Sequence, residues 1–201
     1  MRICVSPIPF INDNSKGLIG ECGRRGGYME MINIDPYVRS QIIKLASSGL
    51  CSGVAGQIMT GLMVSPPKPG DASYESFKAE EEAIFRGLAG RAKKLVDALN
   101  EIPGIDCQPA EGAMYAFPKL TLPEGAKQAA ASKGQTPDTL YALSLLDEAG
   151  ICVVPASGFG QKQGRVGFRT TFLPSDEELD RAITMFGEHH MHFCEKYSAL
   201  G

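Results

Sequence analysis

Ser15-Lys16-Gly17 is followed closely by Gly20-Glu21-Cys22-Gly23-Arg24-Arg25-Gly26-Gly27. A lysine amine between small neighbours can condense with an aldehyde to give an imine, and glycines let the backbone come close to an anion. The two arginines add planar forks that match phosphate oxygens. Together these groups have the chemistry needed to capture pyridoxal phosphate. A basic, Gly-rich surface loop has the same composition and stays open as a reading of these residues alone. Neither GxGxxG nor GxxxxGK[ST] occurs, so nucleotide binding has no motif behind it.

The second chemical candidate is Arg169, in Phe168-Arg169-Thr170-Thr171-Phe172. A cation within an apolar strand must be paired or it is costly. Two partners are possible: an internal Asp or Glu, or the carboxylate of a substrate. Glu188-His189-His190-Met191-His192 has metal-ligand residue types, but it lacks HExxH and no carboxylate is spaced to complete a site. A packed or surface histidine cluster is expected, with no metal. Ser157, in Ala156-Ser157-Gly158-Phe159-Gly160, lacks the GxSxG elbow and reads as a Gly turn between two strands. The six cysteines contain no CxxC pair. Several, such as Cys152 and Cys194, stand in apolar runs, so reduced structural thiols in a cytosol-like compartment are expected.

The elements that must position these residues alternate helix and strand patterns, an α/β or α+β layout. Tyr28–Ile34 reads as a strand. Asp35-Pro36 opens a helix running to about Ser48, with Pro at its first position after an Asp cap. The uncharged stretch from Leu45 to Pro67 holds too many Ser, Thr and Gln residues to span a bilayer. Val54, Ile58 and Leu62 recur at helical spacing, and from that alone a buried soluble helix is expected. Lys68–Ser73 is turn-rich and is the preferred domain boundary.

Beyond that joint an amphipathic helix is expected from about Tyr74 to Asn100. Phe77, Ile84, Leu88, Leu95 and Leu99 form its inner face; Glu80, Glu81, Arg91, Lys93 and Lys94 form its solvated side. Strands are expected at Ile105–Gln108, Ala113–Leu120, Ile151–Pro155 and Arg165–Leu173. A helix capped by Thr136 runs to Gly150. The final helix opens at Pro174-Ser175 with a Ser175/Glu178 capping box. Its apolar stripe is Leu179, Ile183, Phe186, His190, Phe193 and Tyr197.

Five segments together resemble the alanine aminotransferases, which are fold-type I pyridoxal-phosphate enzymes. They are SKGLIGECGRRGGYMEM, LCSGVAGQIMTGLMVSPPKPGD, EGAMYAFPKLTLP, GICVVPASGFGQ and FRTTFLPSDEEL. The resemblance runs from about Ser15 to the last helix, and GECG-x-RGGY is its most specific part. It implies an α/β fold in which residues 1–73 are a truncated remnant of the large cofactor-binding domain. Residues 74–201 would be a small α+β C-terminal domain.

By the same resemblance Lys16 would hold pyridoxal 5'-phosphate covalently and shuttle the proton. Arg25 and Ser15 would sit at the cofactor phosphate, and Arg169 would grip the substrate α-carboxylate. The implied reaction transfers an amino group between L-alanine and 2-oxoglutarate, giving pyruvate and L-glutamate. The implied partners are a small-molecule amino acid and 2-oxo acid, with a homodimer as the full-length assembly and the cytoplasm, or mitochondria, as its location.

Where the family has about half its chain ahead of the cofactor Lys, 15 residues stand here. The resemblance therefore also implies apolar surface exposed on Tyr28–Ile34 and on the Leu45–Pro67 helix. Asp13 replaces a family Ser near the phosphate, and Ala156 replaces a family Gly. A catalytically inactive fragment that binds a partner is the alternative from another class; a pyridoxal-phosphate lyase on the same fold is a third reading. Twenty basic and 23 acidic residues leave a net charge of -3, which argues against nucleic-acid or anionic-membrane binding. At 43% hydrophobic and 21% charged, the chain is neither disordered nor low-complexity.

Overall fold

The computed structural model describes residues 2–4, 29–51, 53–162 and 164–199. The chain divides into two compact units, Met1–Phe85 and Arg86–Gly201, with the division inside a long helix. In the first unit β1 (Arg2–Cys4) pairs antiparallel with β2 (Glu30–Ile32), Ile3 opposite Met31. The strand expected over Tyr28–Ile34 is shorter in the structure, because Asn33 turns to φ 54° and breaks the extended run.

Helix α1 (Pro36–Ser47) starts where the sequence places it. Asp35 Oδ1 accepts from the backbone N–H groups of Tyr37 at 2.8 Å and Val38 at 3.2 Å, satisfying two orphan donors. Helix α2 (Val54–Val64) covers only the centre of the Leu45–Pro67 stretch. Within it Gly56 and Met59 take the inward positions, so the expectation that Val54, Ile58 and Leu62 are buried is corrected. Those three are 69%, 58% and 53% exposed, an apolar stripe on the outer face of the helix. Among the described residues no helix is long and apolar enough to cross a membrane.

Helix α3 (Tyr74–Glu101) follows the expected period. In the second unit its buried positions are Ala92, Leu95, Val96 and Leu99, with Leu95 and Leu99 fully buried. Each buried leucine contributes roughly 1.5–3 kcal/mol of transfer free energy. Arg91, expected on the solvated side, is half-buried instead. Its Nε donates to the Phe172 carbonyl at 3.1 Å, and its fork lies 3.8 Å from Asp176. That carbonyl lies in the loop after the last strand, so the tie fixes helix to sheet and could not be read from helical spacing.

After the Pro103-Gly104 turn come β3 (Ile105–Asp106), β4 (Tyr115–Ala116) and β5 (Lys119–Leu120). Phe117 and Pro118 split the strand expected over Ala113–Leu120. Pro118 has no N–H to give to a ladder, and β4 and β5 go to different partners. Asn100 spans the β3 exit, donating to the Cys107 carbonyl at 2.9 Å and accepting from its N–H at 2.7 Å.

Helix α4 (Glu124–Ser132) has no counterpart in the sequence reading. Its inward positions are Gly125, Ala126 and Ala130, too small to give a clear apolar stripe. Helix α5 (Pro137–Ala149) ends at Gly150, whose φ of 67° suits a residue without Cβ. Then follow β6 (Val154–Pro155), a 3-10 turn over Ala156–Phe159, β7 (Phe168–Thr171) and α6 (Asp176–Ser198). The capping box at Ser175 and Glu178 forms in both directions. Cys152, expected in an apolar run, is exposed, because the run alternates and Val153 takes the inward position between Cys152 and Val154.

The sheet order is β4-β7-β6, all antiparallel, and β3 pairs with β5. A single Lys119–Gly167 bridge joins β5 to the entry of β7. Helices α4, α5 and α6 pack on one another. Between helices and strands Tyr141, Phe168, Phe186 and Phe193 fill the core. Tyr141 and Phe168 stack at 5.9 Å, and Phe168 and Phe186 at 5.6 Å.

Candidate active site

Strand β7 alternates as a half-buried strand must: Phe168 points into the core, and Arg169 stands on the other face, half-buried. The register puts Tyr115 opposite Thr171, two residues along from Arg169 and on the same face. The Tyr115 ring therefore reaches the guanidinium, which lies over it at 4.3 Å from the centroid. Val154 of β6 is directly opposite Arg169, and the 3-10 turn that follows β6 brings in Phe159. The guanidinium lies over that ring too, at 4.7 Å. Phe117 meets the Phe159 ring edge-on at 5.6 Å.

Among the described residues no carboxylate pairs with Arg169. Of the two partners open at the sequence level, an internal Asp or Glu is therefore not found among them. Among the described residues none accepts a hydrogen bond from the five N–H donors of the Arg169 fork.

The turn that carries Phe159 is fixed by Asp138, a carboxylate only 2% exposed near the start of α5. Its Oδ2 accepts from the Ser157 N–H at 2.6 Å, and its Oδ1 accepts from the Thr139 N–H at 3.0 Å and from the Thr136 hydroxyl. Thr136 was expected to cap α5 by its side chain. In the structure that hydroxyl instead serves Asp138 and lies 3.2 Å from the Ser157 Oγ, so the cap bond is absent. Sequence reasoning missed Tyr115, Phe159 and Asp138 as positioning groups. The Thr-Pro-Asp run at a helix start was the one local signal for Asp138.

Lys16, Ser15 and Arg25 lie outside the described residues. Of the sequence-derived site, the structure thus places Arg169 alone.

Of the three histidines of α6, His189 and His190 are packed inside and His192 is exposed. His190 is buried, its Nδ1 3.2 Å from the Tyr141 hydroxyl and its Nε2 3.1 Å from the Pro103 carbonyl. The Pro103 carbonyl can only accept, so Nε2 carries a hydrogen, and Nδ1 of the neutral ring accepts from the Tyr141 hydroxyl. His189 Nε2 lies 2.9 Å from the Ser144 Oγ and 3.9 Å from a Glu148 carboxylate oxygen. No group of three or more His, Cys, Asp or Glu among the described residues is arranged to hold a metal.

Burial pushes both imidazoles below their usual value; Glu148 opposes this at His189, and the Pro103 carbonyl opposes it at His190. A depressed histidine stays neutral in the fold while the unfolded chain protonates below about pH 6.5. The unfolded state then binds more protons, so stability falls as pH drops from about 6.5 towards the folded values, by up to about 1.4 kcal/mol per pH unit for each histidine. Urea midpoints at pH 7.5 and 5.5 check this. A lower midpoint at 5.5 is expected, and an unchanged or higher one contradicts it.

Comparison with known proteins places this architecture. No family model matches the chain. Alanine aminotransferase 2 of Xenopus tropicalis is 48% identical over 187 residues, which is 93% of this chain and 36% of that protein. A probable mitochondrial alanine aminotransferase of Dictyostelium discoideum is 49% identical over 183 residues, covering 91% and 34%. The solved alanine aminotransferase of Pyrococcus furiosus superposes on 77% of this chain and 34% of its own, with a TM-score of 0.58 at 29% identity.

Over more than nine tenths of its length the chain is similar to alanine aminotransferases. Its fold is that of part of a fold-type I aminotransferase, and the family's cofactor is pyridoxal phosphate. The chain spans about a third of the length of the curated relatives it matches.

Proposed function

We propose that this chain contributes to reversible amino-group transfer between L-alanine and 2-oxoglutarate, giving pyruvate and L-glutamate. The observation that supports this best is Arg169: a half-buried guanidinium beside two ring faces, with no carboxylate partner among the described residues. Such a fork binds a substrate carboxylate through two parallel, charge-assisted hydrogen bonds. Holding the carboxylate fixes the orientation of the adjacent Cα–H bond, which lowers the entropic cost of removing that proton.

The donor set fits pyridoxal phosphate chemically. Lys16 supplies a primary amine for its aldehyde, and Arg25 and Ser15 supply phosphate-binding groups. When bound, this cofactor serves as an electron sink for the substrate carbanion. Lys16 then acts as the base and acid that moves the Cα proton, and Arg169 keeps the carboxylate in place.

Residues 1–73 are read as part of the large cofactor domain and residues 74–201 as the small domain that carries Arg169. The working assembly is read as a homodimer in the cytoplasm; a mitochondrial location has a named precedent in the Dictyostelium relative.

The test is an absorbance titration of the purified chain with pyridoxal phosphate, then with L-alanine. An alanine-dependent change that a sulfonium amino acid does not produce is expected. A response to the sulfonium compound and none to alanine points to a lyase on the same fold and contradicts the proposal.

A further inference from the structure

We propose that Tyr115 and Phe159 are positioning residues that hold the Arg169 guanidinium by their ring faces and so keep its hydrogen-bonding fork free for a carboxylate ligand. This rests on the reading of Arg169 as a carboxylate grip. A half-buried cation has to be stabilised by its surroundings. An acidic side chain would do so, but it would occupy the same N–H donors that a substrate needs. An aromatic face attracts a guanidinium through the ring quadrupole and accepts none of its conventional hydrogen bonds. Two such faces lie 4.3 and 4.7 Å from the guanidinium carbon, and no described carboxylate is paired with it.

Both rings are themselves held. Tyr115 is fixed by the β4–β7 register, and Phe159 by an edge contact from Phe117. The turn under Phe159 is tied to Asp138 through the Ser157 N–H at 2.6 Å.

The experiment follows the Arg169 Nε–H resonance of the 15N-labelled chain, assigned by its loss in Arg169→Lys. The probe is pyruvate, with uncharged pyruvamide as control. In the ligand-free wild type the resonance is expected upfield because of the ring faces, moving back in Phe159→Leu and Tyr115→Leu. Pyruvate, and not pyruvamide, is expected to shift it saturably. Affinity is expected to fall about tenfold in each Leu variant and to be retained in Phe159→Tyr and Tyr115→Phe. Phe159 is 39% exposed, so its replacement leaves the core intact, and unchanged amide resonances elsewhere confirm the fold.

Equal pyruvate affinity in the wild type and both Leu variants overturns the role of the rings and leaves the carboxylate reading standing. An upfield resonance with no pyruvate response in the wild type overturns the carboxylate reading instead.

Discussion

Replacing Arg169 by Ala is expected to weaken L-alanine binding by between roughly thirtyfold and several thousandfold, while stability changes by no more than about 1–2 kcal/mol. The large effect follows from losing a bidentate, partly desolvated charge pair with the substrate. The small one follows from the absence of an acidic partner among the described residues, where the contacts forfeited are those with Tyr115 and Phe159. A structural ion pair gives the opposite pattern, a stability loss of about 3–5 kcal/mol from the orphaned charge.

Arg169→Lys retains the charge but loses the planar fork, so most of the binding loss remains. The measurements are alanine titration in the presence of pyridoxal phosphate and urea unfolding of the same variants. Binding within twofold of wild type, or a stability loss above about 3 kcal/mol, contradicts the assignment.

Gly167→Ala is expected to be the most damaging single methyl in the second unit. A Cβ there would stand 2.4 Å from the Pro118 carbonyl oxygen and 3.3 Å from the Lys119 Cα, both backbone atoms that no rotamer change can move aside. The close approach is what lets β7 enter the sheet. Phe168 N–H donates to Pro118 at 3.2 Å, Leu120 N–H to Val166 at 2.9 Å, and Ala156 N–H to Gly167 at 3.0 Å. Opening this crossing separates β5 from β7 and strains three hydrogen bonds together. The expected cost is about 3 kcal/mol or more, at the upper end for an added methyl in a packed site.

Arg169 lies two residues further along β7, so alanine binding should fall together with stability. Urea midpoints and alanine titration on one preparation test this. A variant as stable as wild type would show that the strand crossing yields without cost.

The helix starts were legible because their determinants are local. Asp35-Pro36 and the Ser175/Glu178 box satisfy backbone donors two or three residues away, a relation contained within one turn of sequence. What connects distant residues was not legible. The Arg91 tie to the Phe172 carbonyl and the Asp138 hold on the Ser157 turn are set by tertiary placement, which no helical or strand period encodes.

Helix α4 stayed hidden because its inward residues are Gly and Ala, whose small apolar area gives little periodic contrast. The α2 stripe of Val54, Ile58 and Leu62 shows the complementary case: period identifies a face of a helix, not what covers it. At the site, the cation in an apolar strand was visible in the sequence. Its ring partners were not, since Tyr115 and Phe159 meet it only through the β4-β7-β6 order.

The most direct test of the transaminase reading is to incubate the purified chain with pyridoxal phosphate, reduce with borohydride, and locate the label by intact mass and peptide mapping. One adduct, confined to Lys16 and competed by L-alanine, is the expected result. Scattered labelling of many lysines, or no label at all, would contradict it.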